Sequence, residues 1–243
     1  LLDKTGVEYR ISVEGRSVTV GSCSVRDLPG YEEGFFFIQD PAAAFCSEIA
    51  EIRPGMSVLD ACAAPGGKSF SAAIAMKGEG SILSQDINAK KIARIRENQE
   101  RLGLDIIRCS AADARIYDPE LDSHFDVVLA DVPCSGFGVI SKKPEIRYKS
   151  QEEVKDLPLI QLAILNNLSR YVKPGGTLLY STCTVLPEEN EENVCRFLRE
   201  NPDYTPSDFA ISEFRSKHGM FTFWPHLHGT DGFFAAKLIR TDS

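Results

Sequence analysis

No stretch of this chain approaches the roughly 18 consecutive apolar residues that span a membrane. Nothing at its start has the basic, apolar and small-residue order of a secretory signal. The chain opens Leu1-Leu2-Asp3 without a Met, so further residues are expected upstream of it. Its seven cysteines (23, 46, 62, 109, 134, 183 and 195) contain no Cys-x-x-Cys. An odd, widely spaced set argues against a disulfide framework and against zinc. It points to free thiols, a cytoplasmic location and no metal. Repeats and low-complexity segments are absent. Positive charge is in deficit: 27 Lys and Arg face 35 Asp and Glu, for a net charge of −8. Such a balance does not advertise a nucleic-acid partner. Any such partner would need a local basic patch, because screening limits a site to its near field.

What is present is an ordinary globular composition, 43% hydrophobic and 26% charged. It suffices for one large core plus a small appendage, and a monomer is expected. Residues 1–30 read as the end of a small accessory subdomain. Tyr9–Val13 and Ser17–Val20 look like short strands around a Glu14-Gly15 turn. Residues 31–243 read as the main domain. There, predicted helices at Pro41–Glu51, Gly67–Met76, Asn88–Leu102, Leu157–Tyr171 and Pro187–Glu200 alternate with predicted strands. The strands are Ser57–Asp60, Ser81–Gln85, Asp105–Cys109, Asp126–Ala130, Thr177–Ser181 and Phe233–Ile239. This alternation means an α/β fold, a mostly parallel doubly wound sheet with helices on both faces. Ligands of such sheets bind beyond the carboxyl ends of the strands. The chemically suggestive residues (Pro65-Gly66-Gly67, Asp86, Asp113, Asp131, Cys134 and Cys183) all fall on that edge.

The first strand leads into Asp60-Ala-Cys-Ala-Ala-Pro-Gly-Gly-Lys-Ser69. Small residues allow close approach to the backbone, and a helix N-terminus offers free N–H groups. A phosphate-binding P-loop would need glycine where Cys62 stands, and the dinucleotide pattern Gly-x-Gly-x-x-Gly is missing. S-adenosylmethionine remains. Cys62, Ala63, Ala64, Pro65, Gly66, Gly67 and Lys68 would receive its amino-acid end. Asp86, 19 positions after Gly67, suits its ribose hydroxyls and Asp113 its adenine amino group. The bland alternative is a tight strand–helix turn. It fits poorly with acids at three successive strand ends.

A buried cysteine is by default a small hydrophobe, which is the expectation for Cys23, Cys46, Cys109 and Cys195. Cys134 and Cys183 differ, since each follows a buried strand on the ligand edge. Beside a methyl donor, a thiolate adding to carbon 6 of a pyrimidine makes carbon 5 nucleophilic. Asp131 could hydrogen-bond the ring, and a second thiol could assist release. Spacing alone does not rank one cysteine above the other.

Ala63-Ala-Pro-Gly-Gly-Lys68, Asp131-Val-Pro-Cys-Ser-Gly136, Thr182-Cys183-Thr-Val-Leu-Pro-Glu-Glu-Asn190 and Asp231-Gly-Phe-Phe-Ala-Ala-Lys237 resemble the motifs of the RNA cytosine-5 methyltransferase family (Sun/RsmB-like). Tyr31-Glu-Glu-Gly34 through Gln39-Asp40 is similar too. The motifs occur in the family's order over about residues 30 to 240. The resemblance implies a Rossmann-like methyltransferase fold whose last strand is antiparallel. It implies S-adenosylmethionine as cofactor and RNA as substrate, ribosomal before transfer RNA. It implies Cys183 as nucleophile and Cys134 as the residue promoting release. Cofactor contacts carry over to Cys62 through Lys68, Asp86, Asp113 and Asp131. Val132 stands where family members often have Ala.

Ser141–Lys149 carries four basic residues and one acid, the local field that the net charge denies. Lys142, Lys143, Arg147 and Lys149 are expected to meet phosphates, with Tyr148 stacking on a base. The acids of Glu188–Glu192 are read as favouring a helix N-terminus, and His226-Leu-His228 as surface loop. Three other functions compete. A small-molecule methyltransferase would not need paired strand-end cysteines. A non-catalytic RNA-binding module would not need them intact. A nucleotide hydrolase would need the missing glycine.

Overall fold

A computed structural model describes residues 2–11, 18–21 and 23–241. The expected Glu14-Gly15 turn lies outside the described residues. Its flanks, β1 (Tyr9–Ile11) and β2 (Val18–Val20), pair antiparallel as a two-stranded sheet among the described residues. Two short helices follow, α1 (Pro41–Ala44) and α2 (Cys46–Ile49). Asp40 caps α1 by accepting Ala42 N–H (2.9 Å), with Pro41 in the first turn. One continuous helix was expected here. Instead the Phe45 amide bonds back only three residues, to the Ala42 carbonyl (3.3 Å). The Phe45 ring turns onto Phe223 and Phe214.

The main sheet is built from β3 (Ser57–Asp60), β4 (Ser81–Asp86), β5 (Ile107–Ala111), β6 (Phe125–Asp131) and β7 (Val172–Thr182). Three further strands belong to it, β8 (Tyr204–Pro206), β11 (Met220–Phe223) and β12 (Phe233–Arg240), while β9 (Ala210–Ile211) and β10 (Phe214–Arg215) pair apart. The order is β11-β12-β7-β6-β3-β4-β5, with β8 on β12. Strands β3 to β7 run parallel, and β12 is antiparallel to β7 as expected. The chain winds outward from β3 through β5, then restarts at β6. The switch point therefore lies between β3 and β6, where an open α/β sheet offers its crevice.

Helices cover both faces: α3 (Gly67–Ala75), α4 (Ala89–Leu102), α5 (Gln151–Val154), α6 (Leu157–Leu168), α7 (Glu191–Glu200) and α8 (Pro225–His228). Alternation along β6 explains how one strand serves two cores. Val127 and Leu129 join Phe70, Ile92 and Ile95 on the α3–α4 side. Val128 and Ala130 join Leu162, Leu165 and Phe197 on the α6–α7 side. Each of these side chains larger than alanine contributes about 1.5–3 kcal/mol through burial. Asn88 caps α4 by accepting the Lys90 and Lys91 N–H groups, and Gly103 ends it at φ 65°.

Three boundaries differ from expectation. The strand expected from Thr177 begins at Val172 and takes in Lys173-Pro174-Gly175-Gly176, which a register shift opposite Phe125–Val127 absorbs. The helix expected over Leu157–Tyr171 gives way after Leu168 to a 3₁₀ turn, Ser169–Tyr171. The helix expected from Pro187 starts only at Glu191, because Pro187–Asn190 form a turn that buries Glu189 and Asn190. Among the described residues, no helix is long and apolar enough to cross a membrane.

Candidate active site

The register of β6 on β7 sets Asp131 opposite Ser181. The two loops beyond them then carry Cys134 and Cys183 to within 3.2 Å of each other, Sγ to Sγ. The Ser181 hydroxyl donates to Asp131 Oδ1 (2.8 Å), and Lys68 Nζ donates to Asp131 Oδ2 (2.6 Å). Lys68 comes from the first turn of α3, is only 9% exposed, and lies over the Phe233 ring. Burial works against its charge, but Asp131 outweighs burial and raises the ammonium's pKa. Lys68 therefore stays protonated beside the thiols.

The two thiols titrate as a pair. The hydrogen bond from Cys134 holds the Cys183 thiol below its ordinary range, against burial and the Asp131 charge, and Lys68 adds to the lowering. The same hydrogen bond, with burial, pushes Cys134 up. Cys183 is thus the member that ionises, and Cys134 the member that keeps its proton and donates it. Burial also pushes up the other thiols of this edge, Cys46 to about 12 and Cys62 further. Those two suit structure, not nucleophilic chemistry. Cys46 is buried as expected, whereas Cys195 is exposed on α7 and is no part of a core.

The loop from Cys62 to Lys68 is a tight turn. The Gly66 N–H meets the Ala63 carbonyl (2.6 Å), and Gly66 adopts φ 107°. A Cβ there would lie 2.6 Å from the Phe70 ring. Helix α3 begins without a side-chain cap, so its first N–H groups face the edge. Asp86 ends β4, buried, with Oδ1 accepting Asn88 N–H (2.9 Å), and among the described residues its carboxylate has no other hydrogen-bond partner. Its second oxygen suits a ribose diol. Asp113 follows β5 but is taken up by Arg115 (2.6 Å), whose hydrogen bonds hold its carboxyl below the usual range. An uncapped helix start, small loop residues and a buried acid at the next strand end fit a nucleoside bearing an amino-acid tail. Below the loop, Asp60 is fully buried. It accepts the Ser69 hydroxyl (2.6 Å), and burial raises its pKa to about 6.

The basic segment divides. Lys142 is engaged by Asp40 (3.1 Å) and Asp231 (2.7 Å), and Lys149 donates to the Ser135 carbonyl (2.7 Å). Both therefore have roles inside this chain. Lys143 and Arg147 are exposed, and neither side chain has a hydrogen bond or ion pair among the described residues. Tyr148 is 82% exposed. His228 accepts Trp224 N–H (2.8 Å) and packs on Phe214. Among the described residues, no group of three His, Cys, Asp or Glu could hold a metal.

Sequence reasoning did not find several residues that shape the site. Gly138 N–H donates to the Cys183 carbonyl (2.9 Å), and a Cβ on Gly138 would fall 2.0 Å from the Gly232 carbonyl. Thr182 donates to Asn190 (2.6 Å). Glu189 is buried under the Cys134 loop and is not a helix-end charge. Gly232, within the Asp231–Lys237 motif, was the available signal for the first contact, while Gly138 stands two residues beyond the Asp131–Gly136 motif. Nothing in the spacing marked Glu189.

The family model described as 16S rRNA methyltransferase RsmB/F matches residues 49–239. The Bacillus subtilis protein named "Probable ribosomal RNA small subunit methyltransferase B" is 40% identical over 218 residues, covering 86% of this chain and 49% of the relative. The chain thus spans about half the length of the curated relatives it matches. The crystal structure of a protein designated PH0851 superposes with a TM-score of 0.92 at 34% identity, covering 98% of this chain and 55% of that one. That of NSun6 from Pyrococcus horikoshii with SFG gives 0.79 at 28%, covering 93% and 60%. By the family match, and by the likeness of sequence and fold, this chain belongs to the 16S rRNA methyltransferase RsmB/F family.

Proposed function

We propose that this chain transfers a methyl group from S-adenosylmethionine to carbon 5 of a cytosine in RNA, through a covalent bond between Cys183 and the base. Ribosomal RNA of the small subunit is the first candidate substrate, on the names of the relatives. The observation that carries the reading is the thiol pair, 3.2 Å apart, with Cys183 poised to ionise beside Lys68. A small-molecule methyltransferase has no use for that pair.

Cys62 to Lys68, the start of α3 and Asp86 would hold S-adenosylmethionine, with Asp113 near its adenine. When bound, the cofactor supplies an electrophilic methyl group. Cys183 adds to carbon 6, forming the carbon–sulfur bond and loading electron density onto carbon 5. Asp131, oriented by Lys68 and Ser181, hydrogen-bonds the ring and stabilises the adduct. After transfer, the proton on carbon 5 passes to solvent water, its electron pair forms the carbon 5–carbon 6 double bond, the carbon–sulfur bond breaks, and Cys183 returns to its thiolate. Cys134 assists this release by donating to the departing sulfur. The cytosine must be unstacked to reach the thiols. Lys143, Arg147 and Tyr148 offer the strand a phosphate and stacking surface. Residues 1–30 would belong to an accessory RNA-binding part.

Mapping 5-methylcytosine in total RNA, from cells with and without this protein, tests the reading. One or more cytosines that lose the mark, in ribosomal RNA first, are expected. An unchanged map would overturn it, and a loss confined to transfer RNA would move the substrate.

A further inference from the structure

Every polar atom of Ser135, the residue after Cys134, is engaged. Its N–H donates to Glu189 Oε2 (2.9 Å), its carbonyl accepts Lys149 Nζ (2.7 Å), and its hydroxyl pairs with that of Thr184 (2.7 Å). Thr184 follows Cys183, so this last bond ties one thiol loop to the other. The peptide on the far side of Cys134 is held as well. Gln161 Nε2, from α6, donates both to the Pro133 carbonyl (2.9 Å) and to Glu189 Oε2 (2.7 Å). The Gln161 amide is itself oriented, its Oε1 accepting from Tyr180 (3.3 Å) and Asn193 (3.3 Å).

Glu189 is 1% exposed, forms no ion pair among the described residues, and its Oε1 has no partner. A buried carboxylate held only by neutral donors is costly to fold around. Its two donors lead to the two peptides that bracket Cys134. A methylene displaced here moves a sulfur whose partner sits at hydrogen-bonding distance. Helix α7, which begins two residues later, does not need this side chain as a cap.

We propose that Glu189, through the Ser135 N–H and Gln161, is the positioning residue of the thiol pair. It fixes Cys134 Sγ where it can donate to Cys183 Sγ. The inference rests on reading Cys183 as the nucleophile, so its test reads the thiol directly as well as methyl transfer. In the full chain, the rate of Cys183 alkylation by iodoacetamide is followed against pH by peptide mass spectrometry. Wild type should show a midpoint below that of a free thiol. In Glu189→Ala, loss of the Cys134 donor should raise the midpoint and slow alkylation near neutral pH about tenfold, one pKa unit. Methyl transfer should fall about 10²-fold in kcat with KM for RNA unchanged. Glu189→Gln keeps an acceptor oxygen and should restore both. If Glu189→Ala does not fold, Gln161→Met carries the same expectation. An unmoved midpoint in a folded variant overturns the proposal, as does a Gln variant as impaired as Ala, which would make charge and not position the cause. A wild-type midpoint at the free-thiol value, with no methylation, would instead overturn the functional reading beneath it.

Discussion

Two lysines are buried among the described residues, and they lie on opposite edges of the sheet. Lys68, 9% exposed, pairs with Asp131 at the carboxyl edge, where both thiols also sit. Lys237, 3% exposed, pairs with Glu51 across a cleft shared with Asp126, Lys173 and Ser207, at the amino edge. Lys237 is the more deeply buried, yet its partner's carboxylate reaches water, and Lys237 holds that carboxyl below its ordinary range. No thiol or unpartnered acid shares that cleft. A buried charge pair is weak evidence of purpose by itself. What distinguishes Lys68 is its company, since its field falls on a thiol that the proposed chemistry needs ionised.

The sharpest break of this comparison is at the nucleophile. Cys183→Ala should abolish methylation while leaving S-adenosylmethionine affinity, measured by calorimetry, unchanged. Full activity would sink the covalent mechanism. Next, Cys134→Ala should let a protein–RNA adduct accumulate that survives denaturing electrophoresis. Its absence with a confirmed substrate would remove the release role. The lysines themselves come third. Lys68→Met should cost about 3 kcal/mol in chemical denaturation, because Asp131 is left without its partner, and it should move the Cys183 alkylation midpoint upward. Lys237→Met should cost about 1 kcal/mol or less, because Glu51 can rehydrate, and it should leave that midpoint alone. Equal midpoint shifts would erase the distinction between the edges.

The smallest effect concerns Asp60, below Lys68. Burial raises its folded pKa from the ordinary 3.8 to about 6. A raised pKa means that the folded state binds the proton more tightly. The stabilising contribution is therefore complete below about 3.8 and lost as pH rises through about 6. Thermal melts of Asp60→Asn against wild type should show a gap that moves in the variant's favour across that window and is flat above it. A gap independent of pH would mean that Asp60 does not titrate there.

Much of this was legible along the chain, for identifiable reasons. The apolar run Asp126–Ala130 had to be buried on both faces, and its alternate residues do enter two cores. Asp86, Asp131, Cys134 and Cys183 fall on one edge because strand ends are local events. What was not legible is equally physical. Lys173–Gly176 holds a proline and two glycines, poor strand residues, but strand pairing absorbed them as an irregularity in β7. Lys142 and Lys149 read as phosphate ligands because charge is visible in sequence. Their partners, Asp231 and the Ser135 carbonyl, stand 89 and 14 positions away.

The sequence by itself determined the α/β alternation, the small-residue loop at the sheet edge, and which cysteines follow buried strands. These depend on local periodicity and turn chemistry. Only the tertiary structure decided that the two thiols meet at 3.2 Å, that Cys183 is the one lowered, and that Glu189 holds the loop between them. Those outcomes depend on the pairing of β6 with β7 and on burial, which join residues about fifty positions apart and change what a thiol or carboxylate does.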